Sequence, residues 1–212
     1  MDYSAPLERH ETFKMFYGRV VELQCAEWLE RHGWEISDLE AFGEESPDIE
    51  TKSASGDLTA FEVKFIGQDD DGFGTVLKGF SGEDAYERRS PYCAANYLLY
   101  RVYQSAKQLQ GARATTRIAL VVIDEQTWFT FEMQLKGGWI NWKNPTFMDV
   151  YDPFIEAQDE TLTDEQKRTL TKDQKRKILN ADLKSALESI ADVWILERSK
   201  GNQMVKIFQR GG

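Results

Sequence analysis

Cysteine and histidine are scarce. The 212 residues include two of each, Cys25 and Cys93, His10 and His32. Two cysteines cannot build a disulfide framework or a cysteine-rich zinc site, and a reducing, cytoplasmic setting is the simplest expectation. Two histidines leave little room for a Ser-His-Asp triad or a multi-histidine metal centre. No run of 18 apolar residues is present, so a membrane-spanning helix is not expected. The opening MDYSAPLERHETFK has no apolar stretch behind a basic end, and no secretory signal is expected either. Basic excess is also lacking: 26 Lys/Arg stand against 36 Asp/Glu, for a net charge of -10. A simple nucleic-acid coat would usually be basic, but an enzyme that gathers carboxylates around a metal is not excluded. The imbalance sits in residues 1–71, with 18 acids and 6 bases. For most of these charges solubility is the ordinary role.

What is present fits a single domain over residues 1–212, long enough to bury a core. From Glu11 to His32, Gly18, Val21, Cys25, Ala26 and Leu29 recur at helical spacing, with Gly33 placed to end the helix. Trp34 to Phe42 and Asp48 to Lys52 read as strands. Leu58 to Ile66 is the clearest strand, with Phe61, Val63 and Phe65 alternating with Ala60, Glu62, Lys64 and Ile66. Residues 67–91, rich in Gly and Asp, read as a long inserted loop. A helix is expected over Ala94 to Gln110, then a buried strand over Arg117 to Ile123. Thr127 to Met133 reads as a further strand, paired in a hairpin. Thr163-Asp-Glu-Gln166 and Thr171-Lys-Asp-Gln174 both fit a capping box and should open helices. Strands at about Val193–Glu197 and Gln203–Gln209 close the chain. The expected core is about 11–133, with a C-terminal extension over about 137–212.

Three features converge on one site. Glu22 lies on the apolar stripe of the first helix, between Val21 and Cys25, where a carboxylate is costly unless it is paired or binds a metal. Arg101 is one possible partner for it. Asp48 follows Pro47 at the head of a short strand; Glu50 shares its strand phase and could take the same role, but the proline context favours Asp48. Glu62 and Lys64 share one face of the next strand. If these strands pair, Asp48, Glu62 and Lys64 meet, and a helix packed across the sheet can bring Glu22 to the same place. Mg²⁺ takes oxygen ligands of this kind and retains waters, and a lysine beside it can hold or activate a water. The combination suits phosphodiester hydrolysis.

Pro47-Asp48, then Glu62-Val63-Lys64, resembles the PD-(D/E)xK nuclease superfamily, with its restriction-endonuclease-like fold. Gly18, Glu22, Leu29, Gly33 and Trp34 are similar to the first helix of archaeal Holliday-junction resolvases. The resemblance spans roughly residues 18–66. It implies an α/β fold, a mixed central sheet flanked by helices, to which the segments read above add helices and strands at the C-terminal side. It implies a Mg²⁺-dependent endonuclease acting on DNA, with Mn²⁺ able to substitute and RNA as an alternative substrate. Asp48 and Glu62 would be metal ligands, helped by the Val63 carbonyl. Lys64 would position or deprotonate the attacking water, and Glu22 would hold a second metal or a metal-bound water. Gln104 or Gln108 would contact substrate, with Gln104 preferred. A homodimer is expected if both strands are cut, since one such site cuts one strand. The alternatives are a structure-specific or RNA nuclease, or a non-catalytic binding or assembly module of the same fold.

Other segments carry plainer expectations. The run 167–177, with six bases and one acid, reads as a solvated helix surface. Trp139, Trp142 and Phe147 read as a hydrophobic plug. Asp69-Asp70-Asp71 reads as an acidic loop, Glu87-Arg88-Arg89 as a possible phosphate contact, and Cys25 as a core residue.

Overall fold

The computed structural model describes residues 9–39, 47–67, 92–147, 161–199 and 203–210. The expected insertion at 67–91, apart from Gly67, lies outside them, as do Asp69–Asp71, Glu87–Arg89 and the Cys93 side chain. A six-stranded mixed sheet forms the centre, in the order β1-β2-β3-β4-β5-β6. The strands are β1 Glu35–Leu39, β2 Ile49–Lys52, β3 Leu58–Ile66, β4 Thr116–Asp124, β5 Asp192–Arg198 and β6 Met204–Gln209. β3, β4 and β5 run parallel, while β1, β2 and β6 are antiparallel to their neighbours.

Helices cover both faces. α1, Arg9–Arg31, packs Val21, Cys25, Trp28 and Leu29 onto Phe61, Val63, Leu120, Val122 and Trp194. α2, Tyr92–Leu109, packs on the opposite face with Ala60, Ile66, Ala119, Val121 and Ile123. Successive β4 residues therefore serve opposite layers, as strand periodicity requires. A strand apolar on both faces reads as a continuous run, which is what IALVV is. Gly33 ends α1 at φ +86°, a region that favours glycine. Its N–H reaches the Glu30 carbonyl at 3.0 Å and that of Trp34 the Leu29 carbonyl at 3.1 Å, closing the orphan carbonyls of the last turn.

One element differs from its sequence reading. Thr127–Met133 is not a strand but lies within a helix, α3, Glu125–Lys136. The β-branched and aromatic residues of TWFTF favour strand locally, but Trp128 and Phe131 sit one helical turn apart and both bury into the core under the sheet. Tertiary packing decides the matter. Trp142 stacks on Phe208, ring centroids 5.0 Å apart, and Phe147 is buried, so this aromatic segment packs against the core.

Both capping boxes form, opening α4, Asp164–Thr169, and α5, Lys172–Glu188. α5 buries Leu179, Leu183, Ala186 and Leu187, so fraying at its start propagates to the core. Thr171→Ala is expected to cost about 1 kcal/mol and to lower Tm by about 2–4 °C, with Thr171→Ser close to wild type; thermal unfolding by circular dichroism checks it. In the 167–177 run Arg176 pairs with Asp173 at 2.9 Å on an exposed face, while Lys175 is buried. No helix among the described residues is long and apolar enough to cross a membrane.

Candidate active site

The β2–β3 register sets Ile49 opposite Phe61 and Glu50 opposite Ala60. Asp48, one residue earlier, is thereby carried alongside Glu62 and Val63. Its Oδ2 accepts a hydrogen bond from the Val63 N–H at 2.6 Å, and both residues are buried. This fixes the Asp48 carboxylate against the β3 backbone. Glu62 is 3% exposed and accepts a hydrogen bond from Lys64 Nζ at 2.6 Å through Oε1. The two lie two residues apart on one strand face, so the pair is a direct result of β periodicity. Asp48, Glu62 and Lys64 are thus brought together.

Glu22 is paired with an arginine, though not with Arg101. Its Oε2 accepts from Arg19 Nη1 at 2.9 Å, one turn earlier on α1, whereas Arg101 donates to Tyr97 and Gln104 on α2. Burial pushes the Glu62 carboxyl up to about 7, with Asp48 and Glu22 adding to the rise and Lys64 pulling against it. Glu22 is therefore close enough for its charge to act on Glu62. Cys25 is fully buried and its thiol is pushed far up, by burial first and then by Asp48 and Glu22, which makes it an inert core residue at neutral pH.

A divalent cation suits this donor set in chemical terms. The β2–β3 register sets two buried carboxylates, Asp48 and Glu62, beside each other, and burial opposes the charge that Glu62 must carry. Mg²⁺ is commonly held by one or two carboxylates and completes its shell with water. Among the described residues no three His, Cys, Asp or Glu side chains form a ready metal cage, so what is offered is an open pair, Asp48 and Glu62.

Lys64 also faces a cleft of about 570 Å³, lined chiefly by Tyr100, Arg101, Gln104, Lys107 and Gln108 of α2. Both candidate glutamines line it. Gln104 is held in place: its Nε2 donates to Tyr100 Oη and its Oε1 accepts from Arg101 Nη1, each at 3.1 Å. Sequence reasoning missed Tyr100 and Lys107 as parts of this wall. The signal was there in YRVYQSAKQ, where polar residues recur at three- and four-residue spacing on an otherwise apolar helix. Compared with known proteins, the chain matches no family model, no curated protein and no solved structure.

Proposed function

We propose that the protein is a metal-dependent endonuclease that hydrolyses DNA phosphodiester bonds on a restriction-endonuclease-like core. The observation that carries the reading is the buried unit in which Asp48 is bonded to the Val63 N–H and Glu62 to Lys64. A structural core seldom invests two buried carboxylates and a lysine at one spot. Asp48 and Glu62, with the Val63 carbonyl, would hold Mg²⁺, for which Mn²⁺ can substitute. When bound, the cation offsets charge on the phosphoryl oxygens. Glu62 fixes the Lys64 ammonium at the cleft wall. Lys64 there donates a hydrogen bond to the attacking water and holds it toward phosphorus. Water oxygen bonds to phosphorus as the bond to the 3′-oxygen breaks, the proton shed by the water passes through solvent to the leaving 3′-oxygen, and a 5′-phosphate and a 3′-hydroxyl are left. Glu22, on α1, would hold a second cation or a metal-bound water, and Gln104 would contact substrate from α2.

The test is cleavage of supercoiled plasmid, linear duplex, single-stranded DNA, a four-way junction and RNA, with Mg²⁺, Mn²⁺ or EDTA. Wild type is expected to cut DNA only with metal. Lys64→Ala is expected to slow cutting by about 10²–10³-fold, the usual loss on removing one positioned donor. It also removes the group that pulls the Glu62 carboxyl down, so the Glu62 titration, read by carbon-detected NMR, should move upward. Cutting of RNA alone or of junctions alone would reassign the substrate. No cutting and no metal binding by calorimetry would leave a non-catalytic module.

A further inference from the structure

The chain carries a net charge of -10, yet the cleft beside Lys64 has three cations in its described lining, Lys64, Arg101 and Lys107, and the carboxylates paired with two of them, Glu62 and Asp182, are outside that lining. Charge of one sign gathered in a concave site focuses the local field and attracts the opposite sign. Arg101 is held on the wall by Tyr97 Oη at 3.0 Å and by Gln104, with its guanidinium 5.2 Å from the Tyr97 ring centroid. A guanidinium oriented in this way loses little freedom on binding a phosphate. Lys107 lies about 9 Å further along α2, from the helical rise per residue, a gap that two long side chains can close onto neighbouring phosphates. Its Nζ is 3.2 Å from Asp182 and 5.6 Å from the Tyr103 ring centroid, in a part-exposed pair. Exposed pairs of this kind are weak, so a phosphate can compete for the ammonium.

We propose that this cleft is the path of the strand being cut, and that Arg101 and Lys107 bind phosphates of its backbone on one side of the phosphodiester presented to Lys64. The proposal rests on the nuclease reading for the identity of the polyanion. The plain alternative is that Lys107 and Asp182 simply tie α2 to α5.

Salt dependence separates the two, because a phosphate contact releases counterions and a structural tie does not. Binding is read by fluorescence anisotropy with a labelled 15-nucleotide oligo(dT) and a 15-base-pair duplex, in Mg²⁺, from 50 to 300 mM KCl. All proteins carry Glu62→Gln so that the DNA stays intact. Arg101→Gln and Lys107→Gln are each expected to weaken binding about 3- to 10-fold at 100 mM KCl and to reduce the slope of log K against log[KCl] by about 0.7–0.9. Arg101→Lys and Lys107→Arg should restore the slope. The effect on either DNA supports the path and assigns the strand's context. Unchanged slopes, or no binding of either DNA by the parent, would overturn it. The cleavage test above is independent: cutting by wild type without a slope effect removes only the cleft assignment, and a slope effect without cutting removes only the nuclease.

Discussion

Glu62→Gln is expected to stop cleavage and, at pH 8 without metal, to raise the melting temperature. The wild-type carboxyl is buried and its pKa is raised from 4.5 to about 7. A carboxyl raised on folding binds its proton more tightly in the native state than in the unfolded chain. Its contribution to stability is therefore greatest at low pH, declines as pH rises from about 4.5 to 7, and is lowest above 7, where Glu62 is ionised. The shift corresponds to about 3 kcal/mol. Glutamine keeps an acceptor for Lys64 and removes the charge. Lys64 loses its ion pair, but its side chain is 18% exposed and can turn to water, so the net gain should be about 1–3 kcal/mol, or about 5 °C in Tm. Most of the gain should be gone by pH 5, where Glu62 is protonated in the native state. Thermal unfolding of both proteins in EDTA at pH 5 and pH 8 measures it. An equal difference at the two pH values, or a wild type more stable than the variant at pH 8, would show that Glu62 carries no buried charge. If the protein is the metal-dependent nuclease proposed, cleavage should fall by at least about 10³-fold, because the carboxylate would then supply a direct ligand charge.

The same burial explains which parts of this chain can be read from its sequence. β3 is legible because its alternation has two distinct faces, with Phe61, Val63 and Phe65 turned to α1 and Glu62 and Lys64 turned away. The helices opened by Thr163 and Thr171 are legible because a cap is a local hydrogen bond between residues three apart. α3 is not, because its decision is made by Trp128 and Phe131 burying under a sheet whose strands are distant in sequence. TWFTF alone favours the wrong state.

At the site, the meeting of Asp48 with Glu62 and Lys64 is legible once β2 and β3 are paired antiparallel, since the register follows from the short turn at Ser53–Asp57. The Asp48–Val63 hydrogen bond crosses 15 residues and leaves no local signature. Glu22 does pair with an arginine, but that arginine is Arg19 rather than Arg101. Arg101 is also a cation near an apolar stripe, but it belongs to the opposite layer, and the three-residue spacing from Arg19 gives the closer neighbour.

Asp48 separates fold from chemistry in one position. Asp48→Asn retains a side-chain oxygen able to accept from the Val63 N–H, so the variant should fold with stability close to wild type. Asp48→Ala leaves that buried N–H without its 2.6 Å acceptor, which costs about 1–3 kcal/mol, partly offset because a charge that raises the Glu62 carboxyl is gone. Both variants should lose cleavage by at least about 10³-fold, as each removes one of the two carboxylates proposed to hold the metal. Metal binding gives the readout that a purely structural role would not move. Ten millimolar Mg²⁺ should raise the Tm of wild type by mass action, by about 1.4 kcal/mol of stability if that concentration is tenfold above Kd. Asp48→Asn should lose most of that rise while keeping the same Tm in EDTA. Urea unfolding, thermal shift with and without Mg²⁺, and plasmid cleavage on the three proteins decide it. If Asp48→Asn cuts within tenfold of wild type, the carboxylate only fastens β2 to β3 and the metal lies elsewhere. If it folds normally, ignores Mg²⁺ and does not cut, the charge of Asp48 serves the chemistry, and its hydrogen bond serves to aim it.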